Sequence, residues 1–327
     1  MIITRTPFRI SFAGGGSDLE ACYARQPGAV LCTAIDKYMY LAVKEHFGGS
    51  FRISYSKTEY SDTVEGIRHP IVRECLQRVG GVPPLEVVSM ADLPAQAGMG
   101  SSSSFTVGLL HALYTFRGEV ITPNVLAEEA CRVEIEGLAE PIGKQDQYIA
   151  AYGGLQFIEF FGDGSVRIEP VHCSKETYRE LDRRLVIFFT GITRNARDVL
   201  TKQRDNTPEK LPALADLCEI ARRMRDVLVS GEELAGFGRL LDEAWRRKKS
   251  LETTITNEAV ESAYSRGLEA GALGGKLLGA GGGGFLLFYC EPERQAALRE
   301  ALPGMEEVPF SFSPYGSRVV HQGNGLV

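Results

Sequence analysis

The chain has 327 residues, 44% of them hydrophobic and 24% charged, which is enough to bury a full core and favours two compact domains over one. Its formal net charge of −6 argues against a nucleic-acid or anionic-membrane partner, while leaving room for a local basic pocket that takes a small anion. No apolar run reaches bilayer length, residues 1–9 carry no signal-peptide hydrophobic region, and seven scattered cysteines lack a C-x-x-C pair, so the expectation is a cytoplasmic protein without disulfides or a membrane partner.

Residues 1 to 12 alternate apolar and polar as a strand does, and Ala13-Gly14-Gly15-Gly16 breaks the pattern ahead of a helix capped near Ser17 or Asp18. Val30 to Val43 and Phe51 to Tyr55 read as strands, His69 to Val79 as a helix and Leu85 to Ser89 as a strand. After Pro94 to Ser104 comes the helical run Phe105 to Phe116, then an acidic helix over Leu126 to Leu138. Leu155 to Phe161 and Val166 to Ile168 form a hairpin around Gly162-Asp163-Gly164, and Arg184 to Thr190 is an apolar strand. Leu211, Leu214, Leu217, Ala221, Met224 and Leu228 recur at helical spacing, and Leu234, Phe237, Leu241, Ala244 and Trp245 repeat it after Gly231. A helix over Val260 to Ala270 runs into Gly274 to Leu278, then the glycines of 279–284, then the strand Phe285 to Cys290. Helices set against one face of an antiparallel sheet, after a mixed first half, define an α+β class with the boundary between 165 and 180.

Gly98 and Gly100, followed by Ser101, Ser102, Ser103 and Ser104 at a helix start, read as a phosphate cradle, with an ordinary loop ending in a serine N-cap as the alternative. Glycine lets the backbone turn tightly and expose N–H groups, and the helix start adds unpaired donors and a partial positive charge. Serine hydroxyls there donate to phosphate oxygens or sit beside Mg²⁺, a hard cation that takes oxygen ligands. No lysine follows the glycines at the spacing of G-x-x-x-x-G-K-[ST], which excludes a Walker-type loop. Residues 279–284 satisfy G-x-G-x-x-G, but with a helix expected before them and a strand after, the reverse of a dinucleotide fingerprint. Three separated glycine bends therefore read as walls of one ligand site, with Gly15, Gly16, Gly282 and Gly283 on the substrate side.

The same three stretches, Thr6 to Leu19, Pro94 to Ser104 and Lys276 to Phe285, resemble in order the three motifs of the GHMP kinase family, and the likeness runs nearly the whole chain. Within it, Arg5 to Leu19, Gly143 to Tyr148 and Gly271 to Phe285 are most similar in wording to the heptose 7-phosphate kinases of bacteria. The resemblance implies a two-domain fold, with a left-handed βαβ unit in an ATP-binding domain over 1–170 and a ferredoxin-like domain over 171–327. It implies ATP with Mg²⁺, and phosphorylation of the anomeric hydroxyl of D-glycero-D-manno-heptose 7-phosphate to the 1,7-bisphosphate. An unphosphorylated sugar, mevalonate, or a catalytically silent sensor are the alternatives.

By position, Asp146 matches the aspartate facing the acceptor hydroxyl, Arg9 the basic residue beside it that stabilises the transferred charge, Glu134 the magnesium carboxylate, Ser102 the matching hydroxyl and Asp18 a ligand of sugar hydroxyls. Four serines after Gly100, where relatives have two serines and two alanines, leave the metal-contacting hydroxyl open. A substrate that already carries phosphate needs a second anion site. Lys144 and Lys276 adjoin glycine turns, Arg194 and Arg197 follow a strand, and Arg246 to Lys249 form a dense basic run, although a solvated face accounts for each equally well. The five histidines show no metal-ligand spacing. The expected partner is a small-molecule sugar phosphate, with a homo-oligomer left open.

Overall fold

The computed structural model describes residues 1–95, 97–192 and 196–323, with the side chains of 196–198 and 203 outside the description. Strand β1 (Ile2–Ala13) pairs antiparallel with the long β2 (Gly28–Glu45), which follows a single-turn helix α1 (Glu20–Tyr23). Their register slips between Pro7 and Arg9 and again between Ser11 and Ala13. Proline has no N–H for the ladder, and a bulge re-aims the side chains beside it. Arg9, paired with Ala34 of β2, donates its N–H to the Met99 carbonyl at 3.1 Å, tying the strand to the expected phosphate cradle.

The hairpin β3 (Phe51–Ser54) and β4 (Thr58–Ser61) leads through helix α2 (Pro70–Val79) to β5 (Leu85–Ala91), which lies parallel to β3 and antiparallel to β2. His69 caps α2 by accepting from the Val72 N–H, and Pro70 fills the first helical position, where no N–H is needed. Helix α3 (Ser101–Phe116) packs on β1 and β2 and is apolar nearly all round, as a helix buried between layers must be. Helix α4 (Pro123–Cys131), capped by Thr122, runs into a π-helical turn over Arg132–Gly137, so the acidic helix read from the sequence changes its winding before it ends. Helix α5 (Gln145–Tyr152) and the hairpin β6 (Leu155–Phe160) with β7 (Val166–Pro170) close this half, with β6 paired to the first part of β2.

After helix α6 (Lys175–Arg184), strand β8 (Leu185–Phe189) enters a second sheet. Helices α7 (Ala196–Ser230), α8 (Ala235–Lys249) and α9 (Glu258–Glu269) follow, then β9 (Gly274–Leu277), β10 (Phe285–Tyr289), α10 (Gln295–Ala301) and β11 (Glu306–Glu307). The sheet order β11-β8-β10-β9, antiparallel throughout, has the β-α-β-β-α-β succession of ferredoxin-like folds. All five residues of β10 are buried, as an unbroken apolar run requires. The last strand, β12 (Arg318–Gln322), returns to pair with β1, so the first sheet takes strands from both ends of the chain.

One reading of the sequence is corrected. Gly274 to Leu278 does not extend the preceding helix: Gly274–Leu277 pairs with β10 as β9, and Gly274 and Gly275 must be glycine, since a Cβ there would come within 2.0 Å of the Gly238 carbonyl and 2.4 Å of the Leu287 carbonyl. The glycine run therefore joins two antiparallel strands, and the absence of a helix after it still excludes a dinucleotide fingerprint.

Phe237 on α8 joins the two halves: its ring meets Phe12 of β1 edge-on at 5.1 Å and tilts over Tyr289 of β10 at 6.3 Å, fully buried. Phe237→Ala is expected to destabilise the fold by about 3–5 kcal/mol through lost burial and the cavity left behind, checked by the denaturant midpoint.

Candidate active site

The three glycine bends meet at a cavity of about 350 Å³. Gly15, Gly16 and Asp18 line it from the first bend, Gly98, Gly100 and Ser101 to Ser103 from the cradle, and Gly279 and Ala280 from the third. Cradle and third bend are in contact: a Cβ on Gly279 would sit 2.4 Å from the Gly98 Cα, and one on Gly98 2.4 Å from the Leu278 carbonyl, with both residues at φ +80°. Only glycine allows that approach in that conformation. Gly100, left-handed at φ 76°, is the N-cap of α3, so the first-turn N–H groups of a 16-residue helix open toward the cavity beside the serine hydroxyls.

Asp146 lies in the first turn of α5, and its two carboxylate oxygens receive the Arg9 fork, Nε at 2.7 Å and Nη2 at 2.6 Å. The third Arg9 bond, from Nη1 to the Gly98 carbonyl at 2.6 Å, fixes the pair against the cradle. Arg9 is buried while Asp146 keeps an edge to the cavity. Such a bidentate pair sets a carboxylate's position as well as its charge.

Glu134, on the π-helical turn, is fully buried and accepts from the Ser102 hydroxyl on one oxygen and from Gln147 Nε2 on the other, at 2.7 Å. Burial pushes its carboxyl up to about 7, against the hydrogen bonds from Ser102, Ser103 and Gln147, and Asp146 adds to the rise. Among the described residues no cation is paired with it, and Gln147 Oε1 beside it is buried without a partner.

On the other side of Asp146, the buried Asp18 accepts from the Gly16 N–H at 2.8 Å and the Gln145 N–H at 3.3 Å; burial raises its carboxyl above the usual range. Lys248 from α8 donates to the Gly15 carbonyl at 2.9 Å, and burial lowers its ammonium to about 8. Lys276 from β9 donates to the carbonyls of Ser11 at 2.7 Å and Phe12 at 3.1 Å; burial, then Lys248 and Arg9, lower it to about 7.

Arg9, Gly15, Gly16, Asp18, Gly98, Gly100, Ser101, Ser102, Ser103 and Asp146 thus gather as the sequence suggested, with Glu134 behind Ser102. Others do not. Ser104 turns into the core, its hydroxyl donating to the Pro7 carbonyl at 2.8 Å. Gly282 and Gly283 lie beyond the lining, the first bonded to Ile255 and the second packed on Ile192. Lys144 points away to the Gly164 carbonyl at 2.8 Å. Arg194, and the Arg197 side chain, lie outside the described residues. Gln145, Gln147 and Ser11 were missed; Lys248 was read only as part of the basic run Arg246 to Lys249, although it continues the inward stripe Phe237, Leu241, Ala244 of α8.

An anion cradle, a positioned carboxylate in reach of it and a buried oxygen pair behind it define a phosphoryl-transfer site. Residues 67–154 match the family model described as GHMP kinases N terminal domain, and residues 224–305 that described as GHMP kinases C terminal, together more than half of the chain. The protein is 28% identical over 336 residues to the D-glycero-alpha-D-manno-heptose 7-phosphate kinase of Campylobacter jejuni, covering 96% of this chain and 97% of that one. It is 28% identical over 280 residues to the mevalonate kinase of Methanothermobacter thermautotrophicus, 80% of this chain and 82% of the other. A solved D-glycero-D-manno-heptose 1-phosphate kinase from Bacteriodes thetaiotaomicron has a TM-score of 0.81 at 24% identity, covering 99% of this chain and 100% of that one. The chain belongs to the GHMP kinase family, and it is an ATP-dependent sugar kinase. Among the described residues no helix is long and apolar enough to cross a membrane.

Proposed function

We propose that the acceptor is D-glycero-D-manno-heptose 7-phosphate and the product the 1,7-bisphosphate, made in the cytoplasm for nucleotide-activated heptose synthesis. The observation that carries this is the end-to-end likeness to the Campylobacter jejuni relative of that name. Asp18 supports it as a buried acceptor for sugar hydroxyls, with Lys248 close by as a cation for an acidic substrate.

In this reading the triphosphate lies on the N–H groups at the start of α3, and the acceptor hydroxyl meets Asp146, which orients it and takes its proton. Arg9 holds Asp146 in the geometry that this requires. Ser102 and Glu134 fit a magnesium ion: they supply two hard oxygen donors from a buried, cation-free position, and magnesium takes one or two protein oxygens plus substrate phosphates. When bound, the ion neutralises charge on the phosphates.

ADP release across a panel of acceptors tests the reading. Turnover on heptose 7-phosphate is expected to exceed that on heptose, fucose, galactose and mevalonate by about 100-fold or more, since a site built for a charged group rejects the analogue lacking it. Faster turnover on any unphosphorylated acceptor would reject the proposed substrate, and no ADP release with any acceptor would favour a silent sensor.

A further inference from the structure

In phosphoryl transfer negative charge is spread over the three equatorial oxygens of the transferred group, and a cation whose charge is not already matched is best placed to stabilise it. Arg9, the basic residue of the first motif, keeps two of its five N–H donors, but its charge is already matched by Asp146, which takes its fork on both oxygens, while Gly98 takes one Nη1 hydrogen. Lys276 meets the condition. An ammonium has three donors, two of which end on the Ser11 and Phe12 carbonyls, leaving the third for the cavity that Lys276 lines. Both acceptors are neutral, and among the described residues no carboxylate is paired with it. The charged groups around it are Arg9 from β1 and Lys248 from α8, with Asp146 from α5, Asp18 and Glu140 on the same cavity wall.

We propose that Lys276 is a catalytic residue whose ammonium donates its remaining hydrogen bond to the transferred phosphoryl group, while Arg9 serves to position Asp146. The acceptor oxygen bonds to the γ-phosphorus, the bond from that phosphorus to the β,γ-bridging oxygen breaks, and the acceptor proton passes to Asp146. Lys276 gives up no proton in the step. The assignment rests on the triphosphate lying in the α3 cradle.

An anion at Lys276 reverses the disfavouring of its charge. At pH 8 the free ammonium, lowered to about 7, is mostly deprotonated, so anion contact raises its affinity for a proton and binding takes one up. Calorimetry of a non-hydrolysable ATP analogue with magnesium, in buffers of different ionisation enthalpy, counts those protons. Wild type is expected to take up more than Lys276→Met or Lys276→Arg, and the net exchange left in both variants belongs to the other titrating groups of the site, Lys248 and Glu134. In turnover, Lys276→Met is expected to lose about 100-fold or more in kcat, with Lys276→Arg recovering at least about tenfold of it.

Equal proton uptake in wild type and both variants, a Lys276→Met kcat within about fivefold of wild type, or Lys276→Arg no faster than Lys276→Met would each overturn the assignment. Should Lys276→Met fail to fold, the proton count of wild type against Lys276→Arg decides. Analogue binding without that difference rejects Lys276 alone, whereas no binding to wild type rejects the α3 cradle and this assignment with it.

Discussion

Asp146→Asn is expected to lower kcat by about 10³-fold while the affinity for ATP changes by no more than about threefold, because a general base contributes roughly 10²–10⁴ to rate and little to nucleotide binding. Asparagine keeps the shape and one acceptor oxygen, so the Arg9 fork retains one of its two bonds and the cradle contact to Gly98 stands. What goes is the carboxylate's proton affinity and the charge that balances a buried guanidinium. Folding is therefore checked alongside, by the thermal unfolding midpoint. A kcat within about tenfold of wild type would remove Asp146 from the chemistry. Arg9→Met separates the two halves of the pair: a positioning role predicts a fall in kcat that Arg9→Lys repairs poorly, since an ammonium cannot reproduce a planar two-point contact.

How far this site was legible in the sequence depended on whether the local chain carries the constraint. The bends at Gly14 to Gly16, Gly98 to Gly100 and Gly279 to Gly284 were visible because a positive φ or a close approach demands glycine at Gly14, Gly16, Gly98, Gly100, Gly279, Gly281 and Gly284. Their convergence on one ligand site was expected as well, but not the hairpin of β9 and β10 that carries the third bend, since β9 reads from the sequence as the end of a helix. Helix α5 was hidden for a different reason: its N-cap Lys144 makes no side-chain cap, so the sequence marks no helix start ahead of Asp146.

The basic run Arg246 to Lys249 shows the same limit from the other side. Arg246, Arg247 and Lys249 do face carboxylates at the surface, Asp242, Asp216 and Glu261 respectively. Lys248 alone follows the 3.6-residue stripe inward, carrying a charge into a cavity that helix periodicity reserves for apolar groups. A lysine on the buried stripe of a helix is the readable sign, and composition of the run conceals it. For Ser104, similarly, the first turn of α3 rotates each successive serine by about 100°, so a row of four cannot all face one ligand.

Glu134→Gln is the second large effect expected. Its side chain keeps the volume and one acceptor oxygen, but it withdraws the anionic ligand from the proposed magnesium position while Ser102 stays in place. Loss of an outer partner alone weakens a metal site by 10–100-fold, so loss of the ligand's charge is expected to lower kcat/KM for ATP at limiting magnesium by at least about 100-fold. The magnesium concentration giving half-maximal rate should rise, with part of the activity returning at high magnesium. Without the metal, stability is expected to hold or increase, because a fully buried carboxylate with no paired cation is held there against its own desolvation. Activity and unfolding midpoint should therefore move in opposite directions. If both fall together, Glu134 is a structural hydrogen-bond acceptor for Ser102 and Gln147; if the magnesium midpoint does not shift, the ion is held elsewhere.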